Sequence, residues 1–166
     1  MSAAIVAAAD FVYATESSWI FTPFTDLGLL PEGAASYLFV QRMGIAKANE
    51  ALLQSKKISA QELRACGFIN HIFPSHDDTS FRSTVLSYVK EQFDGINRVS
   101  LIQSKKLIRS FYSAHVERAN IVEAMAGLDR FVDGIPQREF EKLARKSKRH
   151  KGLERGSKGL ERGSKL

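Results

Sequence analysis

The sequence predicts an α/β chain, mostly helical, with two or three short strands. Two observations predict it. Helical apolar spacing recurs from stretch to stretch after Pro31, and the β-rich runs are few and short. So few strands make no complete sheet. Their unpaired edges require an upstream segment or a partner chain.

Residues 1–9 are small and apolar, which predicts a closely packed helix. No positive segment opens the run and Asp10 ends it, so it reads as the middle of a buried helix rather than a secretory leader. Phe11-Val12-Tyr13-Ala14 and Trp19-Ile20-Phe21 are short β-like runs, the second ended by Pro23. Pro31 is expected to open a helix, since a missing N–H costs nothing at the first helical position. Ala34, Ala35, Leu38, Phe39 and Met43 form its apolar stripe, and Gly44 stops it. A second helix is expected over 45–54. Ser59-Ala60-Gln61-Glu62 is a capping box opening a third, and Gly67 stops that one. Residues 68–73 alternate as a strand up to Pro74. Amphipathic helices are expected over 78–93, 100–112 and 115–131, and Pro136 starts a last one.

The net charge of +6 is uneven: residues 145–166 carry +7 and residues 1–144 carry −1. The body therefore lacks the basic surface of a nucleic-acid binder. The tail lacks the aromatics a single-strand binder uses, so nucleic-acid or membrane-surface binding through it ranks low. A lone Cys66 excludes an internal disulfide and, with no ligand at metal spacing, reads as structural. No apolar run is long enough to span a membrane. His71, His76 and His115 give no metal template, so no metal is expected. Trp19 reads as core or interface.

The tail, residues 145–166, uses Gly152-Leu153-Glu154-Arg155-Gly156-Ser157-Lys158 twice and ends in Ser164-Lys165-Leu166. Such composition is expected to stay disordered. A C-terminal S-K-L is a peroxisomal address, which predicts a peroxisomal location and the import receptor as a partner.

The chemistry centres on Thr22-Pro23-Phe24-Thr25-Asp26-Leu27-Gly28-Leu29-Leu30-Pro31-Glu32-Gly33. Glu32 has two readings. It can be a carboxylate in a helix's first turn, favoured by the helix dipole. Alternatively it can be a general base among Leu29, Leu30, Pro31 and Ala34, with a pKa raised by that apolar setting.

These segments resemble the crotonase superfamily, and within it the fungal peroxisomal Δ3,Δ2-enoyl-CoA isomerases. The likeness is carried by residues 10–14, by Phe21-Thr22-Pro23-Phe24 with Pro31-Glu32-Gly33-Ala34-Ala35-Ser36-Tyr37, and by residues 48–74. It runs to about residue 145. The resemblance implies a crotonase-like fold of which residues 1–144 are the C-terminal part. It makes Glu32 the shuttle that takes a proton from C2 of a 3-enoyl-CoA and returns it at C4, giving the 2-trans-enoyl-CoA. The two glutamates of the family's hydratases correspond here to Ala4 and Phe24, so hydration is disfavoured, and dienoyl isomerisation for the same reason. Phe24, Leu29 and Tyr37 would line the acyl site, although Tyr37 can equally pack with its helix. Lys105 and Lys106 would meet CoA phosphates or form a solvated face. The coenzyme A thioester is the substrate, and no separate cofactor is expected.

The resemblance also puts one backbone donor for the thioester oxygen upstream of the chain and the other near Met1, so the N-terminal half of the domain is expected to be absent. Homo- or hetero-oligomers with crotonase-fold chains are expected. The pathway would be fatty-acid or secondary-metabolite (toxin) acyl metabolism. The alternative is a non-catalytic family member acting through association with full-length relatives.

Overall fold

The computed structural model describes residues 2–74 and 77–145. His76 and the tail with Ser164, Lys165 and Leu166 lie outside the described residues. The order is α1 (Ser2–Ala7), β1 (Tyr13–Thr15), β2 (Trp19–Ile20), a 3-10 turn (Thr25–Leu27), α2 (Ala35–Leu52), β3 (Ile58–Ser59), α3 (Ala60–Ala65), β4 (His71–Phe73), α4 (Asp78–Gln92), α5 (Arg98–Ser110) and α6 (Ser113–Val132). Residues 135–145 are helical beyond it.

β1 and β4 pair in parallel, Tyr13 opposite His71 and Thr15 opposite Phe73. β2 and β3 pair antiparallel, Trp19 opposite Ser59. Asn70 extends the parallel ladder: its N–H donates to Val12 O at 2.8 Å and its Oδ1 accepts from Val12 N–H at 2.7 Å. His71 is a residue of this strand, stacked on Tyr88. The strand expected over 68–73 shortens to its last three residues. Phe68 and Ile69 instead close α3: both N–H groups donate to Leu63 O, after Gly67 at φ 87°. This satisfies a helix-end carbonyl and buries both side chains.

The core gathers around α2, where Ala35, Phe39, Ala48 and Ala51 are buried with Ile58, Leu63 and Phe68. Alanines 4 and 7 let α1 lie close to it. Arg42 of α2 ties down the end of α1, donating Nε to Ala7 O at 2.6 Å and a terminal nitrogen to Ala9 O. Cations suit helix C-termini because carbonyls there have no intrahelical partner. Gly44 interrupts α2 with a non-helical backbone (φ 73°, ψ 159°), the break expected at that residue. At the far end, Thr22 Oγ1 donates to Ala51 O at 2.9 Å and Thr25 Oγ1 to Leu53 O at 3.1 Å. Those two bonds fasten the 22–25 segment to α2, and α6 packs across the start of the same helix. Trp19 is exposed, with Lys57 Nζ 4.0 Å above its ring, so it is not a core residue.

Candidate active site

α2 begins at Ala35, four residues later than Pro31 suggested. The delay has a backbone cause. Gly33 (φ 68°) and Ala34 (φ 60°) are both left-handed, so the chain turns sharply after Glu32 before the helix can start. Glu32 therefore precedes the helix and is not in its first turn. Gly33 is needed twice over, for its φ and because a Cβ there would stand 3.0 Å from the Ala4 Cβ. Upstream, Leu29 N–H donates to Phe24 O at 2.7 Å, folding residues 24–29 into a tight loop that ends at Glu32.

That loop forms one wall of a cleft of about 300 Å³. Phe24, Leu29 and Glu32 line it, and Glu123, Gly127 and Phe131 of α6 face them. Phe24 is buried, Leu29 half-buried and Glu32 exposed. The apolar enclosure expected around Glu32 is thus one-sided: the carboxylate stands on the rim, with the greasy wall beside it. Arg130, also on the cleft, donates Nε to Gly28 O at 3.3 Å and holds the loop against α6.

Ala4 and Phe24 are the residues expected at the places of a hydratase's acids. Ala4 is buried against Gly33, and Phe24 lines the cleft. Neither can exchange a proton. The sequence reading missed a second carboxylate on the cleft, Glu123, which is 8% exposed. Its Oε2 accepts from Ala34 N–H at 2.7 Å and its Oε1 from Ser36 N–H at 2.8 Å. A signal for it existed: Gly33-Ala34-Ala35 offers α2 no side chain able to cap it, so an acceptor had to come from elsewhere.

The other expected substrate contacts lie apart from Glu32. Tyr37 stacks on His115, ring centroids 5.5 Å apart, and does not line the cleft. Lys105 borders a larger cavity of about 810 Å³ between α1, α2, α4 and α5. There its Nζ lies 2.5 Å from Asp10 Oδ2, and Arg109 reaches Oδ1 of the same carboxylate at 2.7 Å. Lys105, then Arg109, hold the Asp10 carboxyl below its usual range. Lys106 is exposed on the same helix. Glu32 and Lys105 line different cavities. Among the described residues no cluster of three His, Cys, Asp or Glu could hold a metal, and no helix is long and apolar enough to cross a membrane.

Known proteins match this chain in sequence and in fold. The enoyl-CoA hydratase/isomerase family description matches residues 3–152. A Δ(3,5)-Δ(2,4)-dienoyl-CoA isomerase of Pyricularia oryzae is 47% identical over 157 residues, covering 91% of this chain and 56% of its own length. A 3,2-trans-enoyl-CoA isomerase of Saccharomyces cerevisiae is 31% identical over 154 residues, covering 91% of this chain and 55% of its own. The crystal structure of an enoyl-CoA hydratase/isomerase from Pseudoalteromonas atlantica superposes with a TM-score of 0.78 at 26% identity, over 86% of this chain and 56% of the other. The chain thus spans a little over half the length of these relatives. With its fold and its sequence matched over most of its length, the chain belongs to the enoyl-CoA hydratase/isomerase family and has the crotonase fold.

Proposed function

We propose that this chain carries the base of an enoyl-CoA isomerase, with Glu32 moving a proton from C2 to C4 of a 3-enoyl-CoA thioester. The observation that carries the reading is Glu32 on the rim of an apolar cleft lined by Phe24 and Leu29. The family resemblance sets Ala4 and Phe24, neither of which can exchange a proton, at the places of the hydratases' two glutamates. One carboxylate suits this shift. C2 and C4 flank a single carbon, so the same group can take the proton and return it without changing sides. Taking the proton leaves an enolate, whose C4 is then protonated as the double bond settles between C2 and C3. Phe24 and Leu29 give the acyl chain an apolar wall. The coenzyme A thioester is itself the substrate, and no separate cofactor enters the reaction.

The 47% relative favours a second reading. Converting a 3,5-diene to a 2,4-diene moves a proton from C2 to C6, a longer transfer that suits two acids. Glu123 is the other carboxylate on the cleft, but both its oxygens already accept backbone N–H groups. The single-base shift fits that arrangement better.

The test compares wild type with Glu32→Gln on 3-hexenoyl-CoA and on a 3,5-dienoyl-CoA, following product absorbance. General-base loss lowers kcat by about 10²–10⁴-fold. Equal rates in the two proteins would remove Glu32 from the chemistry, and turnover of the diene alone would select the second reading.

The C-terminal Ser164-Lys165-Leu166 supports delivery to peroxisomes by their import receptor. Acyl metabolism there, of fatty acids or of secondary metabolites, is the setting we assign. Lys105 and Lys106 belong to this reading as contacts for CoA phosphates, with Lys105 exchanging Asp10 for the phosphate. Association with crotonase-fold chains is part of the same proposal. A chain that showed no turnover but did associate with a full-length relative would fit the non-catalytic alternative.

A further inference from the structure

Glu123 is the only charged side chain in the buried class among the described residues. It comes from the middle of α6 and reaches across to the start of α2. Burying a carboxylate is unfavourable unless its oxygens are well bonded, and here each oxygen takes a separate backbone N–H, at 2.7 and 2.8 Å. Capping α2 alone would need far less. A Ser or Asn beside the helix start does that work locally, with no charge to desolvate.

What the distant carboxylate adds is a grip on Ala34, the second of the two left-handed residues that follow Glu32, and on Ser36 just beyond it. A non-glycine residue held at φ 60° persists only where its surroundings over-determine it. Glu123 supplies that constraint on one side, and Ala4 against Gly33 supplies it on the other. The same side chain lines the cleft that Glu32 borders.

We infer that Glu123 is a positioning residue for Glu32: by clamping the Gly33–Ala34 turn to α6 it holds the base at a fixed place on the cleft rim. The inference rests on the reading of Glu32 as the base.

The test is Glu123→Gln in the full chain. Glutamine keeps the size but has one acceptor oxygen, and it turns an NH₂ toward the other backbone N–H. The expected result is a kcat roughly 10- to 100-fold lower at unchanged KM, the loss typical of a misplaced catalytic group, with the circular dichroism of wild type. An unchanged kcat per folded molecule, with only a lower melting temperature, would overturn the inference and leave Glu123 a helix cap. Should Glu123→Gln fail to fold, Glu123→Asp, which keeps the charge and shortens the reach, carries the same measurement.

A second readout separates this inference from the reading beneath it. In chain labelled with carboxyl-¹³C glutamate, the Glu32 signal is assigned by its loss in Glu32→Gln. If wild type turns over no substrate, the base reading falls, yet the Glu32 signal must still move in Glu123→Gln. A signal that stays in place overturns the positioning role.

Discussion

Gly33 shows how one residue can be constrained by two independent causes. Its φ of 68° is open to glycine and strained for other L-residues, and its missing Cβ leaves room for Ala4. Gly95 has the same φ of 68° with nothing within 4 Å of its would-be Cβ. Gly95→Ala is therefore expected to lose roughly 1–2 kcal/mol for the left-handed backbone alone. Gly33→Ala should lose more, because the 3.0 Å approach to the Ala4 Cβ adds to it. Urea unfolding of the two variants measures the difference, and equal losses would show that the Ala4 contact costs nothing. Gly33→Ala should also lower the proposed isomerase activity, since the turn it distorts carries Glu32. The role of Gly33 is not visible from its neighbours in the chain. Ala4 lies far away in sequence, so only folding brings the two together.

At the scale of elements, the capping box of α3 was legible because both its partners lie within four residues. Ser59 Oγ accepts from Glu62 N–H at 3.3 Å, and Glu62 Oε2 accepts from Ser59 N–H at 3.1 Å. The bond from the Ser59 N–H, then that from its hydroxyl, hold the Glu62 carboxyl down to about 2. A carboxyl whose folded pKa is depressed stabilises the fold above its ordinary value of 4.5, and that contribution is lost as pH falls from there toward about 2. Ser59→Ala should cost about 1 kcal/mol by urea titration at neutral pH. Glu62→Gln should flatten the acid limb of the stability profile. If that limb stayed as steep as in wild type, other groups would own it. The start of α2 failed to follow the same kind of local rule. Pro31 is a good first helical residue, yet the helix waits until Ala35, because Gly33 and Ala34 turn left-handed and the Ala34 N–H donates to Glu123, 89 residues further on.

Across the whole molecule, α5, the Phe111 that ends it and α6 present large apolar side chains to solvent, among them Leu107, Ile121 and Val132. Among the described residues, two strand pairs of two strands each leave further edges unpaired. Apolar surface of this kind favours association, in keeping with the oligomers proposed above. Sedimentation velocity at micromolar concentration should show species larger than the monomer. Phe111→Asp, at a residue 81% exposed, should shift them toward monomer with little change in monomer stability. A compact monomer at every concentration would remove association from the proposal. The ion cluster of Asp10, Lys105 and Arg109 is half-exposed and holds α5 to the end of α1 only weakly. Asp10→Asn should cost less than about 1 kcal/mol in thermal or urea unfolding.

The sequence by itself determined that helices lie near 78–93, 100–112 and 115–131, found at Asp78–Gln92, Arg98–Ser110 and Ser113–Val132, and also the break at Gly44, the capping box and the family. Each of these is written in periodicity, in caps or in motifs that span a few residues, where neighbours in the chain are neighbours in space. Tertiary structure alone decided that Glu32 stands before its helix on an open rim, that β3 pairs with β2, that Lys105 turns to Asp10 in a separate cavity, and that Glu123 grips the turn. Those outcomes depend on contacts between segments tens of residues apart. A carboxylate's partners there are set by packing, and local spacing carries no record of them.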